Sequence, residues 1–183
     1  MKLTWSGAFG ILFLVFGVAP LFIPAGGCVE CAKRPQAKND LMLTVTAVKG
    51  FYTEYSQYPQ LRAKSDQDLL VNERNQRSLF LILRGLEAKS GWAKRAVQNH
   101  RVIVFLEGKE VKGSHPKGGF GEDGLLYDPW GGVYQFVVDT NGDGTVQVPE
   151  EWHTKDSGAV LNTTIIGFSP GKTTNPRDDV TTW

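Results

Sequence analysis

Apolar residues recur every three or four positions across residues 36–58, at Leu41, Val45, Val48, Phe51 or Tyr52, Tyr55 and Tyr58. That period lines them up on one stripe of an α-helix. Pro35 before the stretch and Pro59 after it stand where proline suits helix boundaries. At 1.5 Å per residue the helix is about 35 Å long, and Gly50 lowers its helicity without breaking the stripe. A second, shorter helix is expected over 75–86, with Leu79, Leu83 and Leu86 on one face. Residues 60–73 read as a polar loop. Residues 101–106 (RVIVFL) read as a strand or an extended segment leading into one, and 107–124, rich in Gly and Lys, as an exposed loop. Residues 133–138 and 163–168 are β-branched and aromatic runs of strand length. The helix stripe has to be buried against something, so the pattern predicts an α+β fold, a long helix on a small antiparallel sheet that includes 133–138 and 163–168. Tyr55 and Tyr58 are expected against that sheet near Trp130, and Trp183 is expected to pack back onto the domain.

The most informative stretch runs from Asp128 to Glu150 and reads DPWGGVYQFVVDTNGDGTVQVPE. Asp128-Pro129-Trp130-Gly131-Gly132 is turn chemistry, with proline fixing φ and the glycines permitting backbone angles that other residues avoid. After the strand come Asp139, Asn141, Asp143, Gly144 and Glu150. Counted from Asp139, these fall at positions 1, 3, 5, 6 and 12, the full calcium-loop pattern D-x-[DN]-x-[DN]-G-x5-E. Alternate side chains on a tightly curled loop converge, so three short oxygen ligands meet one hard cation. Thr145 would add its carbonyl, Gln147 a water-mediated contact, and Glu150 a bidentate carboxylate. The same letters also favour a solvated Asn-Gly or Asp-Gly turn, and that alternative stays open. A strand enters the loop and Pro149 sits near its exit, so a calcium loop grafted on a β-hairpin is expected and not a helix-loop-helix.

With 183 residues, 41% of them hydrophobic, the chain is long enough for one ordinary core plus a tail. Lys and Arg number 20 against 19 Asp and Glu, so net charge does not draw it to nucleic acid. Five Trp, five Tyr and ten Phe argue against disorder.

No charged side chain occurs from Leu3 to Val29. That length can span a bilayer. Lys2, the apolar core and Ala25-Gly26-Gly27 ahead of Cys28 also have the layout of an export signal. Residues 1–27 are therefore expected to be a signal peptide or transmembrane anchor, 28–35 a linker and 36–183 the globular domain, with its sheet and calcium loops over 101–183. The domain is expected to be membrane-attached and to face the periplasm or cell exterior. Small residues before a cysteine resemble the site at which bacterial lipoproteins are cleaved and acylated. Cys28 and Cys31, the two cysteines, form one C-x-x-C. Without a second pair or a nearby His, zinc is poorly supported. Lipidation of Cys28, a local disulfide, and inert thiols next to the membrane remain as readings.

Catalytic chemistry is not expected. His100, His115 and His153 lie far apart in sequence, and Ser114-x-x-Lys117 lacks its partner motifs and a helix to hold it. No P-loop or H-E-x-x-H is present.

Four segments fall in one order. They are FYTEYSQYP closing the long helix, DPWG followed by Tyr134 and an apolar strand, the D-x-N-x-D-G loop, and the ending SPGK…DDVTTW. Together they resemble the G-type pseudopilins of type II secretion over residues 36–183. The resemblance implies a long helix packed on a small sheet, a structural subunit that associates with homologous pseudopilin subunits and the secretion machinery at the membrane, and a calcium-binding loop near the C-terminus. It makes Asp178 and Asp179 a second candidate for Ca²⁺, although Lys172-Thr173 stands where that family commonly has an acidic residue. The family's prepilin cleavage motif is missing from the apolar segment, and Pro20, Pro24 and Pro35 interrupt what would be one helix. The alternative is a lipid-anchored lipoprotein or binding module that uses the same domain outside a fibre.

Overall fold

The structure is a computed structural model and describes residues 29–61, 67–91, 97–173 and 175–183. It has one long helix, α1 (Val29–Tyr55), and a four-stranded sheet. The sheet strands are β1 (Leu69–Val71), β4 (Gln135–Val138), β7 (Ile165–Ser169) and β8 (Val180–Thr181), in that spatial order and antiparallel throughout. A short helix, α2 (Gln76–Leu83), follows β1. Two small ribbons complete the described residues' strands: β2 (Gly119–Phe120) with β3 (Leu126–Tyr127), and β5 (Val146–Gln147) with β6 (Val160–Leu161). The α+β class and the pairing of the 133–138 and 163–168 segments follow the hydrophobic pattern.

The apolar stripe of α1 is the centre of the core. Leu41, Val45, Val48 and Phe51 are buried, together with Thr44, whose hydroxyl donates back to the Asp40 carbonyl at 3.0 Å. Burial of each large apolar side chain contributes roughly 1.5–3 kcal/mol. They meet Phe136, Val138 and Ile165 on one face of the sheet. The alternating residues Val137, Ile166 and Phe168 point the other way, into a second cluster with Val146, Val148 and Trp152. Strands β4 and β7 are therefore covered on both faces, which is why they read as continuous apolar runs and not as alternating ones. Trp183 joins the second cluster by stacking on Trp152, ring centroids 6.1 Å apart, and its indole N–H donates to Asp156 at 3.0 Å.

Several expectations need correction. The long helix covers 29–55 and not 36–58, so residues 29–35 are helical and not a linker, and Pro35 lies inside. Proline here forfeits one backbone donor. That early segment is tied down by side chains reaching other elements. Glu30 accepts from the Trp130 indole at 2.8 Å, and Arg34 donates to the carbonyls of Arg177 and Asp179 at 2.9 and 2.8 Å. Lys38 donates to the Thr181 carbonyl. Trp130 therefore belongs to the start of α1, whereas Tyr55 and Tyr58 lie at its far end. Tyr55 packs on Phe51, Phe105 and His100, and Tyr58 stacks on Tyr52. The second helix is shorter than 75–86, and 101–106 is extended without joining the sheet, its Phe105 and Leu106 amides donating to the Leu83 carbonyl. The loop 107–124 contains the buried pair Gly119–Phe120 as β2.

The turn at Asp128 is organised by one carboxylate. Asp128 is fully buried. Its Oδ1 accepts from the amides of Trp130, Gly131 and Gly132 at 2.9, 2.8 and 2.8 Å, and its Oδ2 accepts from the Ser169 hydroxyl at 2.7 Å. This one side chain joins the turn to the end of β7. Asp128→Ala strands those donors in the interior and is expected to cost roughly 2–4 kcal/mol. Asp128→Asn keeps an acceptor for the turn and is expected to cost less than half as much. Urea denaturation of both variants checks the order, and an alanine variant as stable as wild type would contradict it.

Candidate metal centre

Residues 139–145 leave the end of β4 and lead into β5. The strand that enters pairs with β1 and β7, whereas β5 pairs with β6, so the loop joins two sheets and is not the tip of a hairpin. Asp139 is buried at its root. Its Oδ1 accepts from the Gly142 amide at 2.6 Å and its Oδ2 from the Gly144 amide at 2.9 Å, so the loop curls round this carboxylate. Gly144 has φ +80°, a left-handed angle that the sixth position of the pattern reserves for glycine.

The other two short ligands are knitted into the same turn. Asn141 Oδ1 accepts from the Asp143 amide at 3.1 Å, and its Nδ2 donates to Asp143 Oδ2 at 3.0 Å. Asp143 Oδ1 accepts from the hydroxyl and the amide of Thr145 at 2.7 and 2.8 Å. These bonds, the Thr145 hydroxyl first, hold the Asp143 carboxyl below its ordinary value, so it is ionised and exposed to solvent. Gln147 is exposed, and its side chain donates to the Gly158 carbonyl at 3.4 Å.

Glu150 stands apart from this group. It opens a 3-10 turn (Glu150–Trp152), and its carboxylate lies over Gly158, where a β-carbon would come within 2.3 Å of Oε1. Among the described residues, no three His, Cys, Asp or Glu side chains are gathered in a ligating arrangement. The structure thus brings Asp139, Asn141, Asp143 and Thr145 together, and turns Glu150 toward the β5–β6 connection.

A further carboxylate, not singled out from the sequence, borders the loop. Leu69 is the partner of Val138 across β1 and β4, and continuing that register sets Asp68 opposite Asp139. The Thr140 hydroxyl donates to the Gln67 carbonyl at 3.1 Å and extends the zip. Asp68 Oδ2 accepts from the Gln147 amide at 3.3 Å, while Oδ1 is buried without a hydrogen-bond partner. Burial first, and then the charges of Asp139 and Asp143, push the Asp68 carboxyl up, against the Gln147 bond that lowers it. Asp68 lines a cleft of about 850 Å³ with Asp139, Thr140 and Gly144, and a second of about 490 Å³ with Asn141, Gln147 and Glu150. Nothing in the local sequence marks it, because the pairing that brings it here spans some seventy residues.

These oxygens suit a hard cation. By type, two Asp carboxylates, an amide oxygen and the orphaned Asp68 oxygen are hard donors that match Ca²⁺ or Mg²⁺ and not a soft metal, and in this structure the carboxylates do not converge on one point.

The second candidate, at Asp178 and Asp179, is already served by fixed cations. Arg34 and Lys38 occupy carbonyls of this loop, as described above, and the Thr173 hydroxyl donates to Asp178 Oδ2. Burial, with the adjacent charge of Asp178 second, pushes the Asp179 carboxyl up to about 6, and Arg34 offsets only part of this. Of the two cysteines, Cys31 is disulfide-bonded and is not an inert thiol, while Cys28 lies outside the described residues. The apolar segment 1–27 lies outside them as well. Among the described residues, no helix is long and apolar enough to cross a membrane. No protein-family model, curated protein or solved structure matches the chain.

The Asp179 shift has a definite sign. In the unfolded chain an aspartate titrates near 3.9. The folded value of about 6 is higher, so above pH 6 the ionised form works against folding, and the penalty is relieved as pH falls through the folded value. Asp179→Asn is therefore expected to melt above wild type at pH 7.5, with the gap shrinking steadily between pH 7 and about pH 4. Thermal melts across that range check this, and a gap independent of pH would contradict it.

Proposed function

We propose that the chain is a membrane-attached structural subunit of the pseudopilin kind, whose extracytoplasmic domain is stabilised by calcium and associates with homologous subunits in a type II secretion fibre. The observation that carries the reading is the long helix α1 laid along an antiparallel sheet, with the DPWG turn, the acidic loop and the DDVTTW ending arranged round that sheet in the order the resemblance implies. The packing and turns of the described residues suit a structural role, and that role needs no catalytic group.

In this reading Asp139, Asn141 and Asp143 hold one Ca²⁺ with the Thr145 carbonyl, Gln147 through water, and Glu150 once its carboxylate leaves Gly158. The ion supplies the positive charge that lets carboxylates crowd at one end of the sheet. Arg34 and Lys38 supply positive charge at the C-terminal loop from within the chain.

The small residues ahead of Cys28 favour a second reading, a lipid-anchored protein that uses this domain outside a fibre. A sulfur in a disulfide, as at Cys31, cannot also carry a thioether-linked lipid. Mass spectrometry of the protein purified from native membranes separates the readings. The subunit reading expects a new, N-methylated terminus inside the apolar segment and an unmodified Cys28 after reduction. A diacylglyceryl Cys28 at the amino terminus would overturn it in favour of the lipoprotein.

A further inference from the structure

The loop pattern accounts for ligands between Asp139 and Glu150 and is silent about Asp68. We propose that Asp68 is a ligand of the same cation, reaching it from the edge strand β1, and that the bound ion thereby clamps β1 to the loop. This inference rests on the calcium reading of the loop and adds to it a residue some seventy positions upstream.

Three observations carry it. The β1–β4 register sets Asp68 opposite Asp139, whose carboxylate roots the loop. One Asp68 oxygen is buried and unpartnered, while the other already accepts from the Gln147 amide inside the pattern. A buried carboxylate oxygen without a donor costs free energy unless something positive meets it. Finally, Asp68 lines one cleft with Asp139 and Gly144 and another with Asn141, Gln147 and Glu150. Like charges gathered at one end of a sheet are unfavourable alone and favourable round a divalent cation. Among the described residues, no ion pair reaches the Asp68 carboxylate.

A purely structural Asp68 would behave differently, which makes the proposal testable. The detergent-solubilised full chain is titrated with calcium chloride by isothermal calorimetry, and melted in chelator. Asp68→Asn keeps an acceptor for the Gln147 amide but removes the charge. It is expected to weaken calcium binding at least tenfold while leaving the melting temperature in chelator equal to or above that of wild type, because repulsion is relieved. Asp143→Ala serves as the loop control and is expected to abolish binding. Wild-type binding with Asp68→Asn within twofold of it overturns the role of Asp68 and leaves the loop site standing. A lower melting temperature in chelator with unchanged affinity assigns Asp68 to the fold alone. Absence of calcium binding by wild type overturns the loop site and the Asp68 proposal together.

Discussion

The close approach of α1 to the middle of the sheet is the constraint on which the rest of this structure depends. Leu41 lies on Gly167 of β7, and a β-carbon there would stand 3.0 Å from Leu41 Cδ2 and 3.0 Å from ring atoms of Phe136. A side chain there would push both neighbours back by a few tenths of an ångström, so glycine favours this depth of the helix in the sheet. With that contact made, Val45, Val48 and Phe51 follow along the stripe and seal one face of β4 and β7. The opposite face is then free to take Trp152 and Val148, so a strand pair in the centre of the molecule is buried on both sides. Both turns that matter grow from these strands. The Asp128 carboxylate ties the approach to β4 to the end of β7, and Asp139 continues directly from β4.

The two ends of α1 then do different work. Its first turns carry Glu30, Arg34 and Lys38, which fasten the DPWG turn and the C-terminal segment. Glu30 is held down at about 2 by the Trp130 indole and then Lys33, so it remains a carboxylate at any ordinary pH. Its last turns carry Tyr52 and Tyr55 in an aromatic group with Tyr58 and Phe105, and the wall of the larger cleft begins there. Fixed cations serve one acidic loop, and in our account a diffusible one serves the other.

Much of this was legible in the sequence where a local period decided it. The stripe Leu41, Val45, Val48, Phe51 announces the helix, and the β-branched runs announce β4 and β7. The spacing of Asp139, Asn141, Asp143 and Gly144 announces a curled loop. What escaped is tertiary. Pro35 looked like a boundary because its lost hydrogen bond is local, whereas Arg34 and Glu30 hold that segment through partners about a hundred or more residues away. The period places Tyr55 and Tyr58 on the buried stripe but does not say which part of the sheet they meet, and the length of the helix separates them from Trp130. Glu150 fits the twelfth position in sequence, but the 3-10 turn at Glu150–Trp152, anchored by Trp152 in the second cluster, carries its carboxylate to Gly158. Asp68 has no sequence signal, since its place is set by strand register.

In our account the edge strand β1 and the loop 139–147 form one unit that a cation closes, mounted on a helix–sheet core that needs no ion. Local opening of such a unit is read directly by amide hydrogen exchange. Exchange of the full chain in detergent should be compared in calcium and in chelator. The account predicts that calcium slows exchange at the Gly142, Gly144 and Gln147 amides and across Leu69–Val71, while the amides of α1 exchange at the same rate in both. Equal exchange throughout β1 and the loop with and without calcium, or protection spread evenly over α1, would contradict it.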